Sequence, residues 1–238
     1  MKYHQLGLSD LKASEIGFGC MSLDMSDTRN EDLLLAAFDA GINYFYTADL
    51  YDAGENEKLV GAALKQRRKE VIIATKVGNQ LNPDKKSWSW NPSAEYIMEA
   101  VEQSLKRLQT EYIDLYQLHG GTLQDPIDET IAAFEKLVAQ GKIRYYGISS
   151  IRPNVIREYI QRSTIISVML QYSLLDRRPE EEVLPLLKEH RKAVMVRGGL
   201  AKGLLAGKAP AVFLNYNEEE VKQAAYAIKS VCNDQRKA

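Results

Sequence analysis

Seven short apolar runs, separated by longer stretches with helical patterning, constrain this chain more than any other feature. The runs fall at residues 15–19, 42–46, 71–75, 112–118, 143–148, 165–170 and 193–196. Helical patterns occupy 30–40, 55–66, 91–108, 126–140, 152–162 and 179–189. Asn30 is the expected cap of the first helix, and Gly41 and Gly141 are expected helix stops. Strand–helix units at this spacing imply parallel strands joined by helical crossovers. Strands covered on both sides read as unbroken apolar runs. An open doubly wound sheet and a TIM (β/α)8-type barrel both satisfy that pattern. No Gly-x-Gly-x-x-Gly turn follows the first run, which weakens the dinucleotide-binding open sheet. Residues 3–6 and 11–13 flank Gly7-Leu8-Ser9-Asp10 and suit a hairpin closing a barrel floor. The expectation is one barrel domain over residues 1–238, with an N-terminal hairpin in about 1–14. One polar helix is expected at 217–230, with no eighth apolar run, so the barrel is expected to lack its eighth strand–helix unit. Open barrel edges would favour self-association.

Composition excludes several classes. Lys plus Arg number 31 and Asp plus Glu 32, a net charge of −1, which argues against a nucleic-acid or anionic-membrane binder. No stretch approaches the ~18 apolar residues of a membrane span. The opening Met-Lys-Tyr-His-Gln has no signal-peptide core. Two cysteines, Cys20 and Cys232, make neither a disulfide framework nor a zinc pattern, so no metal is expected. A cytoplasmic, enzyme-like domain is expected.

In parallel barrels the chemistry sits at the C-terminal strand ends. Read in order, these ends carry Tyr46 with Tyr51 five residues on, then Lys76, His119, Ser149 with Ser150, Gln171 and Arg197. Lys76 follows Val-Ile-Ile-Ala-Thr, so its stem leaves a buried strand. It is a lysine reaching back to solvent, a desolvated cation that lowers a neighbour's pKa, or a Schiff-base nucleophile. His119 alone would be a satisfied core residue; beside a lysine it points to chemistry. No second histidine or cysteine lies near it at ligand spacing. Most of the 13 tyrosines are packing residues. Tyr51 with Lys76 and His119, however, forms a proton-delivery set. A nearby ammonium favours the phenolate, so Tyr51 can act as general acid toward a developing alkoxide. Such chemistry suits hydride transfer to a carbonyl from a nicotinamide cofactor.

Several segments in order resemble the aldo-keto reductases, and the resemblance spans essentially the whole chain. They are Gly17-Phe18-Gly19-Cys20-Met21-Ser22-Leu23, Tyr46-Thr47-Ala48-Asp49-Leu50-Tyr51, Ala74-Thr75-Lys76 and Asp114-Leu115-Tyr116-Gln117-Leu118-His119. Gly147-Ile148-Ser149-Ser150, Gln171-Tyr172-Ser173 and Leu200-Ala201-Lys202-Gly203-Leu204-Leu205 follow. The resemblance implies a barrel that binds NADPH, or NADH, and reduces aldehydes or ketones. It assigns Tyr51 as proton donor, Lys76 as pKa-lowering cation and His119 as carbonyl orienter. Ser149, Ser150 and Gln171 match positions holding the nicotinamide. Gly19, Cys20, Met21, Arg197, Leu200, Ala201 and Gly203 match positions lining the cofactor.

One departure concerns the chemistry. The family pairs its lysine with an aspartate five residues before the catalytic tyrosine, and that position is Tyr46 here. Without the carboxylate, a buried Lys76 loses its proton through desolvation and stops assisting Tyr51. The expected function is therefore an NAD(P)H-dependent carbonyl reductase, weakened or inactive, with a small carbonyl compound as partner. The alternatives are a non-catalytic barrel binding a nucleotide or a protein, and a Schiff-base aldolase using Lys76. Residues 79–90, with Trp88 and Trp90, read as a long loop that either covers substrate or makes a surface excursion.

Overall fold

The structure, a computed structural model, describes residues 1–84 and 86–231. β1 (Tyr3–Gln5) and β2 (Lys12–Ser14) form an antiparallel hairpin. β3 (Phe18–Gly19) leads to α1 (Asn30–Asp39), and β4 (Tyr44–Tyr46) to α2 (Glu55–Leu64). β5 (Ile72–Val77) runs into a second hairpin, β6 (Asn79–Leu81) and β7 (Trp88–Trp90), and then α3 (Ala94–Leu108). β8 (Ile113–Leu118) leads to α4 (Ile127–Ala139), and β9 (Ile143–Ser149) to α5 (Pro153–Arg162). β10 (Ser167–Gln171) leads to α6 (Val183–Glu189), and β11 (Ala193–Arg197) precedes α7 (Glu218–Val231).

The seven strands β3, β4, β5, β8, β9, β10 and β11 pair in parallel in that order, forming a curled, part-closed barrel sheet. Alternation along each strand divides the core. On β5, Ile73 and Val77 join the main cluster with helix residues such as Val60, Val101 and Leu108. Ile72 and Ala74 face the other way, into a smaller cluster with Tyr44, Leu115 and Ile166. Leu6, Leu11 and Ala13 of the first hairpin complete that inner cluster, so the hairpin closes the barrel floor. Gly7 is essential to that fit. Its φ is +56°, and a Cβ there would run into the Ile166 carbonyl.

β3 and β11 are the ends of the sheet, and no further strand pairs with their outer sides among the described residues. A cavity of about 460 Å³ is lined by Tyr44 and Tyr46 of β4, Met195 and Val196 of β11, and Leu6 and Ala13 of the first hairpin. No helix among the described residues is long and apolar enough to cross a membrane.

Three local expectations change. Asn30 is the first helical residue of α1, not its cap; Arg29 holds the cap position, and the Asn30 amide donates to the Asp24 carbonyl at 2.6 Å instead. The segment 79–90 is not a plain loop, because β6 and β7 pair across it in the register Asn79↔Trp90. The helix expected from residue 179 begins at Val183, since Pro179 lies in a separate 3-10 turn, Arg178–Glu180.

Candidate active site

Lys76 is the fifth residue of β5, a strand buried at every position, and is itself only 1% exposed. The inward phase of the strand that carries Ile72 and Ala74 also carries this side chain. Its Nζ donates to the Thr47 carbonyl at 2.6 Å and lies 3.3 Å from the Tyr51 hydroxyl. The ring centroids of Tyr46 and Tyr51 stand 5.3 and 4.9 Å away. Lys76 takes part in none of the ion pairs among the described residues. Two aromatic faces and a carbonyl thus surround a buried ammonium where a carboxylate would offset its desolvation. Burial accordingly pushes Lys76 down to about 7.

Thr47 is fixed in turn. Its hydroxyl donates to Asn56 Oδ1 at 2.6 Å, and Asn56 Nδ2 donates to the Cys20 carbonyl at 2.8 Å. Behind the strand, Glu57 is fully buried; it accepts from Thr75 Oγ1 at 2.5 Å and pairs with Arg107 Nε at 2.6 Å.

Tyr51 begins a 3-10 turn, Tyr51–Gly54, whose Asp52 and Ala53 have left-handed φ values of 48° and 53°. Strain of this kind persists only where the surroundings over-determine the backbone. The expectation of a lowered phenol pKa is not met. Burial, with Tyr46 nearby, pushes Tyr51 up to about 12. His119, one residue past β8, meets Tyr51 edge-on with centroids 6.0 Å apart at 82°. Its backbone N–H donates to the Val77 carbonyl at 2.7 Å. Burial, reinforced by the Lys76 and Arg197 charges, pushes its imidazole down to about 3, so the ring is neutral. Tyr51, Lys76 and His119 are therefore brought together.

Two carboxylates, Asp49 and Asp52, lie in the segment around Tyr51. Asp52 is exposed and has a left-handed backbone in the strained 3-10 turn. Asp49 is 6% exposed; Oδ2 accepts from the Tyr96 hydroxyl at 3.2 Å and Oδ1 has no hydrogen-bond partner among the described residues. Burial, and the charge of Glu57, push its carboxyl up to about 8.

The ends of β9, β10 and β11 place Ser149, Gln171 and Arg197 in sequence along the sheet. Gln171 is a hub: Oε1 accepts from Arg197 Nη1 at 3.1 Å, and Nε2 donates to Asp176 Oδ2 at 2.9 Å. Ser150 is buried and accepts from the Arg152 backbone N–H at 3.2 Å. Met21 and Leu200 project outward, 62% and 61% exposed, whereas Cys20 and Ala201 are fully buried. Gly203, at φ +94°, sits in the 3-10 turn Ala201–Ala206. Gly19 abuts the Tyr46 ring, and a Cβ there would lie 2.6 Å from Tyr46 Cζ.

A profile of the Aldo/keto reductase family matches residues 15–236. The chain belongs to that family. The holo form of aldo-keto reductase AKR11C1 from Bacillus halodurans superposes with a TM-score of 0.93 at 56% identity, over 100% of this chain and 79% of that one. "Uncharacterized oxidoreductase YqkF" of Bacillus subtilis (strain 168) is 53% identical over 98% of this chain and 79% of its own length. "NADH-specific methylglyoxal reductase" of Escherichia coli (strain K12) is 35% identical over 87% of this chain and 70% of its own.

Tyr46, where the resemblance leads one to expect an aspartate, stands at the centre of the site. Its hydroxyl end reaches Gly19 and its face is turned to Lys76. Gln117 and Asp125 were given no role in the sequence reading, and Asn79 and Trp90 entered it only as parts of a long loop. Gln117, the cross-strand partner of Lys76, is fully buried with neither amide atom partnered among the described residues. Asn79 Nδ2 donates to the His119 carbonyl at 3.4 Å, and Trp90 Nε1 donates to Asp125 Oδ1 at 2.9 Å. The polar–apolar alternation Trp88-Ser89-Trp90 was the available sign that this segment is strand.

Proposed function

We infer that this chain reduces a small aldehyde or ketone to the alcohol with a nicotinamide coenzyme, NADPH or NADH. The observation carrying this reading is the 3.3 Å approach of the Tyr51 hydroxyl to Lys76 Nζ, with His119 edge-on beside the same phenol. The residues at the mouth suit the coenzyme. Ser149 and Gln171 offer a hydroxyl and an amide to a carboxamide, and Arg197 offers an exposed cation to an anionic group. When bound, the coenzyme supplies the hydride.

The chain's own groups handle the oxygen. Neutral His119 can donate one N–H to the substrate carbonyl, setting its direction without placing a charge in a buried site. Tyr51 gives its phenolic proton to the oxygen as negative charge develops there. Protonated Lys76 stabilises the phenolate left behind and can return a proton to it across the 3.3 Å contact. Carbonyl, hydride and proton together give the alcohol. Since burial sets Lys76 near 7, this assistance is strongest on the acid side of neutrality.

Tyr46 favours a second reading, a barrel that binds the coenzyme without turning over, because an aromatic ring faces Lys76 there, no carboxylate among the described residues pairs with the lysine, and burial outweighs the more distant Asp49 and Glu57. One assay decides between them: tryptophan fluorescence titration with NADPH and NADH, followed by coenzyme oxidation with small aldehydes and ketones. Reduction is expected, with Tyr51→Phe losing about 100-fold or more in kcat at unchanged coenzyme affinity. Saturable binding without turnover in the parent chain would establish the second reading instead.

A further inference from the structure

We propose that Trp90 is a positioning residue for His119, its indole clasping the loops that follow β5 and β8 on either side of that imidazole. The proposal deepens the function inferred above and rests on His119 facing the carbonyl.

The clasp has a packing half and a polar half. Gly78 and Gly120 have φ of +122° and +151°, and both turn their missing side chains toward the Trp90 ring. A Cβ would lie 2.6 Å from Trp90 Cζ3 at Gly78 and 3.2 Å at Gly120. The indole is thus inlaid between the residue that follows Val77 and the residue that follows His119. Any side chain at Gly78 would expel it, and the backbone there also suits only glycine. The Asn91 N–H donates to the Gly78 carbonyl at 2.8 Å, so the end of β7 is tied to the same glycine.

The polar half fixes the far side. Trp90 Nε1 donates to Asp125 Oδ1 at 2.9 Å. The same carboxylate accepts from the Thr122 backbone N–H and Oγ1, both at 2.7 Å. Hydrogen bonds to a carboxylate are among the stronger ones a side chain makes. Three of them at one aspartate hold the segment from Gly120 to Asp125 against the indole. Asn79, at the start of the same hairpin, donates to the His119 carbonyl at 3.4 Å. His119 is therefore gripped from before, behind and across.

A loosened clasp would open His119 to water. Burial is the main reason the imidazole stays neutral, and Lys76 and Arg197 push in the same direction. Tyr51 faces the ring edge-on. Removing the indole relieves the burial and leaves the two cations in place, so the imidazole moves toward, but not fully to, its ordinary range near 6.5.

The test reads the imidazole directly. The chain has three histidines, and His119→Gln assigns the resonance of interest in long-range proton–nitrogen spectra. In the parent chain His119 keeps one neutral signature from pH 8 to 5. In Trp90→Ala it is expected to titrate within that window. Asp125→Ala removes only the polar half and should produce a smaller shift of the same sign; Trp90→Phe, which keeps a ring against the glycines, should restore most of the parent behaviour. Turnover should fall about tenfold or more in kcat for Trp90→Ala with coenzyme affinity within about twofold, as expected for a misplaced orienting group. A folded Trp90→Ala chain, and a folded Asp125→Ala chain, in which His119 stays neutral to pH 5 would overturn the proposal. Absence of carbonyl reduction in the parent would count against the proposed function alone, because the imidazole titration does not need turnover.

Discussion

Replacing Tyr46 by aspartate puts a carboxylate beside the lysine that lacks one. Lys76 Nζ lies 5.3 Å from the Tyr46 ring centroid, and the Asp carboxyl carbon would occupy the near end of that ring. At this separation and an effective dielectric near 20, a unit charge pair is worth about 3 kcal/mol, or about two pH units in the lysine midpoint. A lysine that burial holds at about 7 would move upward by that amount. At pH 8 the protonated fraction would rise from about a tenth to about nine-tenths. The lysine Cε shift in a carbon-13-labelled chain, assigned with Lys76→Arg, reports this midpoint. The same variant should extend carbonyl-dependent NADPH oxidation about two pH units further into the alkaline range. A folded Tyr46→Asp chain whose Lys76 midpoint stays put would refute the reasoning, since it would mean the missing carboxylate is not what leaves the lysine desolvated.

Three further outcomes follow from the geometry. Gly19→Ala should cost about 1–3 kcal/mol by pushing the Tyr46 ring, and much less in the Tyr46→Asp background, a coupling that urea unfolding of the double-mutant cycle would measure. Arg107→Met strands the fully buried Glu57 and should cost about 3 kcal/mol or more in the same assay, an effect under about 1 kcal/mol showing the pair to be dispensable. Asp49 is raised to about 8 when folded, so the native state binds the extra proton between the ordinary carboxyl range and pH 8. Its contribution to stability is present at low pH and is lost as pH rises through 8. The melting temperature of Asp49→Asn should therefore gain on the parent between pH 5 and 8.5; parallel curves would contradict that sign.

Much of this was legible along the chain because it depends on local pattern. Unbroken apolar runs ending in Lys76, His119 or Gln171 mark both a parallel strand and the end from which its polar residue projects. The side-chain environment was less legible. The contact between Tyr51 and Lys76 was foreseen, but the resulting phenol pKa was not, because it is set mainly by burial, which outweighs the opposing charge of Arg197. The β6–β7 hairpin was missed because three-residue strands carry little periodicity, and its stability comes from the Trp90 contacts with Gly78, Gly120 and Asp125. Asn30 was misassigned because an Asn at a helix start serves the preceding turn as readily as the helix amides.

The uneven cover of the sheet also sets a gradient of local opening. β5 and β8 are buried at every residue, whereas β11 is half-covered and ends on two exposed positions. Amide exchange should consequently be slowest around Lys76 and the approach to His119, and fastest around Arg197. The side of the mouth proposed to handle the proton then belongs to the last unit to open, and the side proposed for the coenzyme to the first. A ligand that closes on Gln171 and Arg197 would reveal itself as slowed exchange along β10 and β11, with β5 and β8 scarcely altered.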